Sequence, residues 1–587
     1  MKKYILVLSF FLGMTATVAQ EIPQHISYTR IYGFIDELAN DGIIEINSVV
    51  KPYSRAFIAG KLREAATKTA LLNRRQKSDL TFFLNDYALE NDTLPQALLN
   101  WTNRQTASLA LLQPAFHYRN NHFKARITPI LGMHLLTNKK GMISKRWYGA
   151  EVQADIVNHV SIWGSIRDIS LNGNRLKESQ FPTLGERIAG AKITQPGFLN
   201  TLQGHQYKEA NYGGDYSDSR GGIKAYTWWG SVGLQKDNIV WGDNNNGSNI
   251  LSGRAPSFAM LTLNLKPVRW FELNYIHGWL VSNILDSARY YSEELPDGTV
   301  QHKYRQKNKF IAANMFTFTP VAKLNLSLGN AVIYAEDNVQ AAYFIPIAFF
   351  KSIDHTMTKG LGIENQNSQV FFNFSSRNIK HLHLYTSIYI DEIQFSRFKP
   401  SNKQNNPISY KVGFNLSNFP LKNLSLTAEF TRSNIINYAH SIPVLEWSSN
   451  SYGMGHYLGD NAQEIYLAIN YKPIRSLNIN LAYTDATKYN TYDYLRSNIL
   501  NIISQKPFNE KTWRNQIATL NVLYEVFNNV YAVIDVAWNN AKGYDLTAYQ
   551  GIDGEHRLTA QEYLDAFSPK FYQGNNLTFT CGLSFNF

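Results

Sequence analysis

The sequence predicts an all-β transmembrane fold, an antiparallel outer-membrane β-barrel of about 18 strands with a small N-terminal periplasmic helical bundle. Three observations predict it: segments of strict apolar and polar alternation, an N-terminus typical of exported proteins, and short turns that alternate with long polar connections. Alternation gives a strand one apolar and one polar face, which suits a wall between lipid and an interior. We therefore expect a signal peptide (1–19), a periplasmic helical region (20–100) and a transmembrane β-barrel with long extracellular loops (101–587).

The C-terminal segment shows this alternation most clearly. Its apolar positions are Leu577, Phe579, Cys581, Leu583 and Phe585, and small or polar residues separate them up to the terminal Phe587. One apolar and one polar face are typical of a membrane strand, although a soluble sandwich could end in the same way by chance. An aromatic C-terminus is also the usual signal for the barrel-insertion machinery, which we expect as a partner.

The N-terminus resembles a secretory signal. Two lysines precede an apolar run over 4–18, and Ala19 closes the segment with small residues before it. This pattern predicts a cleaved signal peptide and export to the cell outer membrane. A membrane anchor is the weaker alternative, because the run is short for a span and polar residues follow it directly. Cys581 is the only cysteine, so no intrachain disulfide is possible.

The segment 28–91 has the period of helices rather than strands. Apolar residues recur at helical spacing in three stretches, and Ser54 is placed to cap the second helix. So small a bundle buries little by itself. We expect it to dock on the periplasmic mouth of the barrel.

Beyond Trp101 the alternation becomes strand-like and persistent. Tight connections at 266–269, 319–322, 418–421, 472–475 and 527–529 alternate with long polar stretches. This regular phase is typical of outer-membrane barrels and argues against a soluble sandwich. We mark about nineteen candidate strands, whereas a single-chain barrel needs an even number. The segment 109–118 is the odd one out, which leaves about 18 strands, with roughly 16 or 20 as alternatives.

Composition limits the function classes. The chain carries a formal net charge of +12 and has a mean hydropathy of −0.29, so it is not a helical membrane protein. In an exported protein this charge favours acidic polysaccharide or lipid phosphate over nucleic acid as a partner. No nucleophile elbow, Walker loop or zinc-helix motif occurs. We therefore expect no enzyme, no catalytic residue, no cofactor and no metal, but a monomer in outer-membrane lipid.

Two long connections have the composition of a sugar site. An aromatic face stacks on a pyranose ring, while planar polar side chains bind its hydroxyls. Girdles of interfacial aromatic residues are the alternative explanation. The candidate polysaccharide-binding residues are Trp241, Asp243, Asn245, Arg254, Tyr452, His456 and Asp460.

A basic cluster forms a second candidate. Lys303, Arg305, Lys307 and Lys309 are spaced by two, which puts all four on one face of an extended segment. That face could bind uronic acids. The simpler interpretation is a solvated loop edge.

Several motifs together resemble the capsule assembly protein Wzi family, in the form seen in Bacteroidetes. They are YGFIDELANDGII (32–44), KPYSR (51–55), WGDNNNGSNILSGRAPSF (241–258), IPIAFFKSIDH (345–355) and GMGHYLGD (453–460). The resemblance covers nearly the whole mature chain in order. It implies a non-enzymatic outer-membrane lectin that attaches or organises exported capsular polysaccharide or exopolysaccharide at the cell surface. In one turn, Asp243-Asn244 replaces the Pro-Gly usual in this family, so the identity of the ligand is not carried over.

A diffusion channel (porin) for sugars or other small solutes is the alternative function. It requires an open, charged lumen, against which the N-terminal bundle argues. A hydrolase is a third possibility. The adjacent acidic pairs 293–294 and 391–392 would point to opposite faces of a strand, which is poor geometry for acid and base catalysis.

Overall fold

A closed antiparallel barrel of eighteen wall strands dominates the described residues, as predicted. The computed structural model describes residues 21–95, 107–110, 115–173, 205–210, 213–358, 365–399, 402, 405–490, 507–545 and 559–586. The expected signal peptide, the expected domain boundary at residue 100 and the terminal Phe587 lie outside these ranges. No helix in the described ranges is long and apolar enough to cross a membrane.

The wall strands are numbered along the chain with the shorter strands included. They are β4 (Phe123–Asn138), β5 (Gly141–Ile156), β6 (Val160–Asn172), β8 (Gly213–Thr227), β9 (Gly230–Asp237), β12 (Phe258–Val268), β13 (Phe271–Glu294), β14 (Val300–Val321), β15 (Leu324–Tyr334), β16 (Gln366–Ser376), β17 (Leu382–Ile390), β18 (Ile408–Ser417), β19 (Leu424–Ser433), β22 (Ala462–Tyr471), β23 (Leu477–Tyr489), β24 (Lys511–Phe527), β25 (Val530–Gly543) and β26 (Gly574–Phe585). The shorter strands are β1 (Val50–Lys51), β2 (Ala107–Ala110), β3 (Ala115–Arg119), β7 (His205–Ala210), β10 (Val240–Trp241), β11 (Leu251–Ser252), β20 (Ser448–Ser449) and β21 (Tyr452–Gly453).

Closure of the barrel explains why one candidate strand is left over. The last strand, β26, pairs with β4 from Phe579 opposite Thr137 to Phe585 opposite Leu131. Below Leu131 the edge of β4 pairs instead with β3, which forms a short hairpin with β2. The predicted extra segment, 109–118, therefore lies against the lower end of β4 and is not a wall strand.

The outer surface of the wall is apolar. On β22, Ile465, Leu467 and Ile469 are each 44–47% exposed and point away from the lumen. On the last strand, Leu577, Phe579 and Leu583 are exposed in the same way. Rows of exposed aliphatic and aromatic side chains on alternate positions are typical of a lipid-facing barrel.

Three helices precede the barrel and form one bundle. They are α1 (Thr29–Asn40), α2 (Arg55–Ala66) and α3 (Arg74–Asp86); two later helices are α4 (Phe350–Thr358) and α5 (Ala560–Phe567). As predicted, Ser54 caps α2, because its Oγ accepts the backbone N–H of Phe57 at 3.2 Å. The bundle has its own small apolar core, which includes Leu38 and Leu62.

Ion pairs and hydrogen bonds fix the bundle to the end of the barrel that carries the short turns. Lys472, from the turn after β22, donates to Glu37 at 2.7 Å, and Arg75 also pairs with Glu37. The backbone N–H of Ser476 donates to Asp79 at 2.8 Å. These partners are buried. The bundle therefore covers the short-turn end of the lumen.

Acidification is expected to loosen this contact. Burial by itself raises the pKa of Glu37, but Lys472 and Arg75 outweigh burial and hold the pKa below its usual value of 4.5. The carboxylate therefore stabilises docking fully above that value, and the contribution is lost as the pH falls through the lowered pKa. We expect proteolysis within α1–α3 to accelerate below about pH 4.

A Glu37→Gln variant provides the control. Because its amide does not titrate, we expect faster cleavage at neutral pH and a weaker response to acid. Identical cleavage profiles for the parent and the variant would contradict the assigned role of Glu37.

Candidate functional site

The connection between β9 and β12 folds into the barrel. Within this lumen loop (residues 238–257), β10 pairs with β11 on one side and with β1 of the N-terminal region on the other. Trp241 lies opposite Val50 and is only 1% exposed. Its ring meets Phe371 of the wall edge to face, with 5.9 Å between ring centroids. The lumen loop thus forms a small sheet with a segment from outside the barrel sequence.

A buried carboxylate holds the turn of the lumen loop. Glu429, on β19, accepts the backbone N–H groups of Asn245 at 2.6 Å and Asn246 at 2.9 Å. The same carboxylate accepts a hydrogen bond from Tyr385 at 2.7 Å and pairs with Lys411 at 2.9 Å. The side chains of Glu429 and Lys411 are completely buried. Buried charges such as these are unfavourable unless they are paired and hydrogen-bonded. This network therefore fixes the position of the loop.

A second connection, between β19 and β22, packs on the lumen loop. In this second segment (residues 434–461), Trp447 donates through Nε1 to the carbonyl of Ile250 at 2.9 Å. Tyr438 donates its hydroxyl to the carbonyl of Asn249 at 2.7 Å. The buried aromatic and aliphatic residues of both segments belong to one apolar cluster with the inner wall. Together the two segments fill the lumen above the bundle.

Asp460 organises the second segment. Its carboxylate accepts three consecutive backbone N–H groups, from Asn437 at 3.0 Å, Tyr438 at 2.9 Å and Ala439 at 3.0 Å. Satisfying several N–H groups with one carboxylate fixes a tight turn in the chain. The carboxylate of Asp460 therefore has a structural role in the second segment.

Arg254 of the lumen loop packs beside His456 of the second segment, on the neighbouring ring of Tyr457. His456 Nε2 lies 3.4 Å from a carboxylate oxygen of Glu464, and Arg254 sits over the ring of Tyr457 at 4.5 Å. Burial lowers the pKa of His456, and Glu464 opposes that shift. Asn246 donates to Glu464 at 3.0 Å, which links this contact to the turn of the lumen loop.

The structure brings all seven sequence-predicted site residues into the barrel interior. The sequence suggested outer loops for both segments, whereas Trp241, His456 and Asp460 are buried. The reason is packing, since both segments carry aromatic and aliphatic residues that bury against the inner wall. Asn245 is exposed, and Asp243, Arg254 and Tyr452 are partly exposed. Their role in polysaccharide binding stays a prediction.

A polar cavity separates the lumen loop from the bundle. It has a volume of about 330 Å³ and lies between α1 and the turn that contains Asp243 and Asn245. Asparagines of the wall line its sides: Asn415, Asn470, Asn478, Asn480 and Asn521. Asp243 exchanges two hydrogen bonds of 3.1 Å with Asn373, and burial raises the pKa of its carboxyl. The cavity is suited to water or hydroxyl groups rather than apolar ligands.

A long hairpin projects beyond the wall. β13 and β14 continue to pair past Val281 and Asn308, with two shifts in register, and most side chains between these positions are exposed. At the tip, the N–H of Leu295 donates to the carbonyl of Thr299 at 2.8 Å, and Gly298 has a φ of +80° that suits the turn. We name residues 282–308 the arm. At about 3.3 Å per residue, the arm reaches roughly 30 Å beyond the wall.

The arm has two different faces. On one face, Tyr290 lies opposite Tyr304, with ring centroids 5.6 Å apart, and His302 meets Tyr290 at 4.9 Å. Lys303, Arg305 and Lys307 lie on the other face, the basic face, as predicted from their spacing. Tyr291, Asp286 and Glu293 of the facing strand share this face, and Lys303 pairs with Glu293. Lys309 differs from the prediction because it is buried where β14 joins the wall, and its Nζ donates to the carbonyl of Glu446 at 2.7 Å.

Sequence reasoning missed the aromatic face. Tyr290 and Tyr304 lie outside the other aromatic motifs of the sequence, and only the strand register brings these two side chains together. The available signal was the Pro296-Asp297-Gly298 turn, from which a hairpin register could have been counted.

Solved structures give the barrel a known counterpart. The structure of Wzi from Escherichia coli, described as an outer membrane protein involved in group 1 capsule assembly and as a carbohydrate-binding β-barrel, has a TM-score of 0.52. The alignment covers 97% of this chain and 100% of that chain at 10% identity, which shows the shared fold.

Two other solved structures align with lower TM-scores. OprD from Pseudomonas aeruginosa has a TM-score of 0.39 at 10% identity and covers 78% of this chain and 94% of that chain. OccAB2 from Acinetobacter baumannii has a TM-score of 0.40 at 8% identity and covers 79% and 99%.

Sequence comparison identifies the family. No curated protein matches the chain. Residues 204–548, more than half of the chain, match the family described as capsule assembly protein Wzi. This span contains the lumen loop, the arm and the second segment. The chain therefore belongs to the capsule assembly protein Wzi family.

Proposed function

We propose that the protein is a non-enzymatic lectin of the outer membrane that attaches or organises exported capsular polysaccharide or exopolysaccharide at the cell surface. Membership of the capsule assembly family supports this role, as does the carbohydrate-binding relative from Escherichia coli. In this proposal the signal peptide (1–19) is cleaved on export and the barrel acts as a monomer.

The orientation follows from the loops. In outer-membrane barrels the short turns face the periplasm and the long connections face outward. The helical region (20–100) then lies in the periplasm, and the arm extends from the cell surface. The arm is therefore the part of the described chain that reaches furthest toward the polymer.

The observation that carries the proposal is the arm with its two faces. Exposed rings of Tyr290 and Tyr304 offer a surface on which sugar rings stack. On the basic face, Arg305 and Lys307 attract an anionic polymer such as one containing uronic acids, while Lys303 is paired with Glu293. An exposed hairpin that presents both kinds of contact at the long-loop end is suited to a long, repetitive ligand.

The seven residues predicted from the sequence have a proposed role beneath the arm. Trp241, His456 and Asp460 hold the two lumen segments in place through packing and hydrogen bonds. Asp243, Asn245, Arg254 and Tyr452 remain partly or fully exposed, and we propose that hydroxyl groups of the polymer reach them only if the segments move apart.

The filled lumen speaks against the alternative of a diffusion channel. The lumen loop, the second segment and the bundle lie one after another along the barrel axis. A porin requires a continuous water-filled path. Between the lumen loop and the bundle lies the polar cavity of about 330 Å³ beside α1.

Deleting the gene tests the proposed function. We expect total polysaccharide to remain unchanged while most of it moves from washed cells to the medium, because synthesis continues without attachment. Complementation with the full chain is the control and should restore retention. Unchanged retention combined with slower uptake of small sugars would contradict the lectin and favour the channel.

A further inference from the structure

The outer wall of the barrel carries polar side chains where lipid is expected. Tyr275 on β13, Asn314 on β14 and Asn330 on β15 are direct neighbours in the ladder. They share a face with Phe318 and Leu328, which are exposed on the outside of the wall. The opposite face of these strands belongs to the luminal core. The three polar side chains therefore point outward, away from the lumen.

Their depth is within the lipid-facing band. Asn314 lies four residues beyond Phe318, which on a tilted strand corresponds to about 10 Å along the barrel axis. The apolar band of such barrels is about 25 Å tall. A bare asparagine amide at that depth would lose its hydrogen bonds to water, at a cost of several kcal/mol in hydrocarbon.

A flap covers this polar patch from outside. The flap (residues 335–358) follows β15 and includes a short 3-10 turn, Ala341–Phe344, and helix α4. Asn314 donates to the carbonyls of Pro346 at 3.0 Å and Ala348 at 2.9 Å. Asn330 accepts the backbone N–H of Phe350 at 2.8 Å. The wall asparagines thus satisfy the backbone of the flap, and the flap satisfies the asparagines.

Aromatic contacts extend the same interface. Tyr275 donates its hydroxyl to the carbonyl of Tyr343 at 2.8 Å. The ring of His277 stacks on Phe344, with 4.2 Å between centroids and an interplanar angle of 11°. Tyr343 and Phe350 are buried in one apolar cluster with wall residues. The flap is therefore packed on the barrel as firmly as a core element.

The opposite surface of the flap is apolar. Ile345, Ile347 and Phe349 are between 50% and 69% exposed and point away from the wall, and Phe344, which stacks on His277, is 37% exposed. They continue upward from the exposed wall residues Leu326, Leu328 and Phe372. The flap thus replaces a polar stretch of the wall with an apolar surface that is continuous with the lipid-facing band.

Several backbone groups of the flap have partners within the protein, as a membrane interior requires. Hydrocarbon tolerates irregular backbone only where the N–H and C=O groups find partners. Ala348 N–H donates to Ile345 at 3.1 Å and Ser352 N–H to Phe349 at 3.0 Å, while Pro346 has no N–H to satisfy. The carbonyls of Pro346 and Ala348 accept from Asn314.

We propose that the flap is a lipid-embedded element in which residues 344–349 contact the acyl chains of the membrane. It anchors the barrel beside the root of the arm and hides the polar patch from the membrane. The proposal rests on the outer-membrane setting of the proposed function but not on polysaccharide binding. A second copy of the chain is the competing occupant, and continuity with the lipid-facing band favours lipid.

Depth-dependent quenching tests the proposal. A Cys581→Ser background removes the native thiol, and Ile347→Cys then carries an environment-sensitive fluorophore in liposomes of the full chain. We expect strong quenching by nitroxide groups on the acyl chains and little quenching by iodide. Leu467→Cys on the wall and Val300→Cys near the tip of the arm provide the lipid-exposed and water-exposed controls.

The remaining outcomes of the quenching experiment contradict either the proposal or its membrane setting. Iodide quenching at Ile347 equal to that at Val300 would place the flap in water and overturn the proposal. Protection from both quenchers would mean that protein covers the flap, which also overturns it. Loss of lipid quenching at Leu467 would overturn the membrane setting itself, whereas failure of the lectin role appears only in polymer retention.

Discussion

A Glu429→Ala variant is expected to release the lumen loop and loosen the barrel interior. The variant removes the acceptor of two backbone N–H groups, from Asn245 and Asn246, and leaves Lys411 without its carboxylate. Breaking a fully buried pair by removing one partner costs about 3–5 kcal/mol. We expect a lower unfolding temperature and several-fold faster maleimide labelling of an Asn480→Cys reporter in the cavity wall, with Cys581→Ser as the background.

A double variant separates the two contributions of Glu429. Lys411→Met combined with Glu429→Leu removes the uncompensated charge but still lacks the acceptor for the lumen loop. Apolar replacement of a buried ion pair is often neutral for stability. We therefore expect recovery of much of the unfolding temperature with labelling that remains fast. A Glu429→Ala protein as stable and as slowly labelled as the parent would show that the carboxylate does not hold the loop.

The wall strands could be predicted because the pattern that identifies each of them lies within a single short segment of sequence. Alternation along β22 and β26 follows from one face in lipid and one in the lumen, so the residues of a single strand are enough to identify it. Helix α2 was predictable for the same reason, since Ser54 and the apolar spacing are close in sequence. Closure then required only an even number of strands.

The positions of the interior segments could not be predicted, because the contacts that fix them join residues that are distant in sequence. Trp241 and Trp447 have the surroundings of rim aromatics, yet each is buried by contacts with remote segments, Trp241 beside Val50 and Trp447 on Ile250. Likewise, alternation identifies β14 as a strand but gives no sign that Asn314 faces a flap formed by residues 335–358. The pattern predicts which face a residue occupies and leaves open what covers that face.

Replacing the aromatic face of the arm is expected to have the largest effect on polymer retention. Tyr290→Ala combined with Tyr304→Ala removes two exposed rings without touching the wall. If each ring contributes about 1 kcal/mol, a value typical of aromatic contacts, affinity falls about 30-fold. We expect cells with this variant to shed polymer nearly as fully as a deletion, measured as the ratio of washed-cell to medium polysaccharide.

The basic face should behave differently, which separates stacking from charge. Lys303→Gln with Arg305→Gln is expected to weaken retention of an anionic polymer at low salt, with little further loss at high salt, because exposed charges are screened. The loss from the tyrosine variant should persist in salt. Phe395→Ala, at a more exposed aromatic residue on another long connection, is the control and should retain polymer. Full retention by the tyrosine variant would exclude the aromatic face as the binding surface, and full retention by both variants would exclude the arm and direct attention to the lumen segments beneath it.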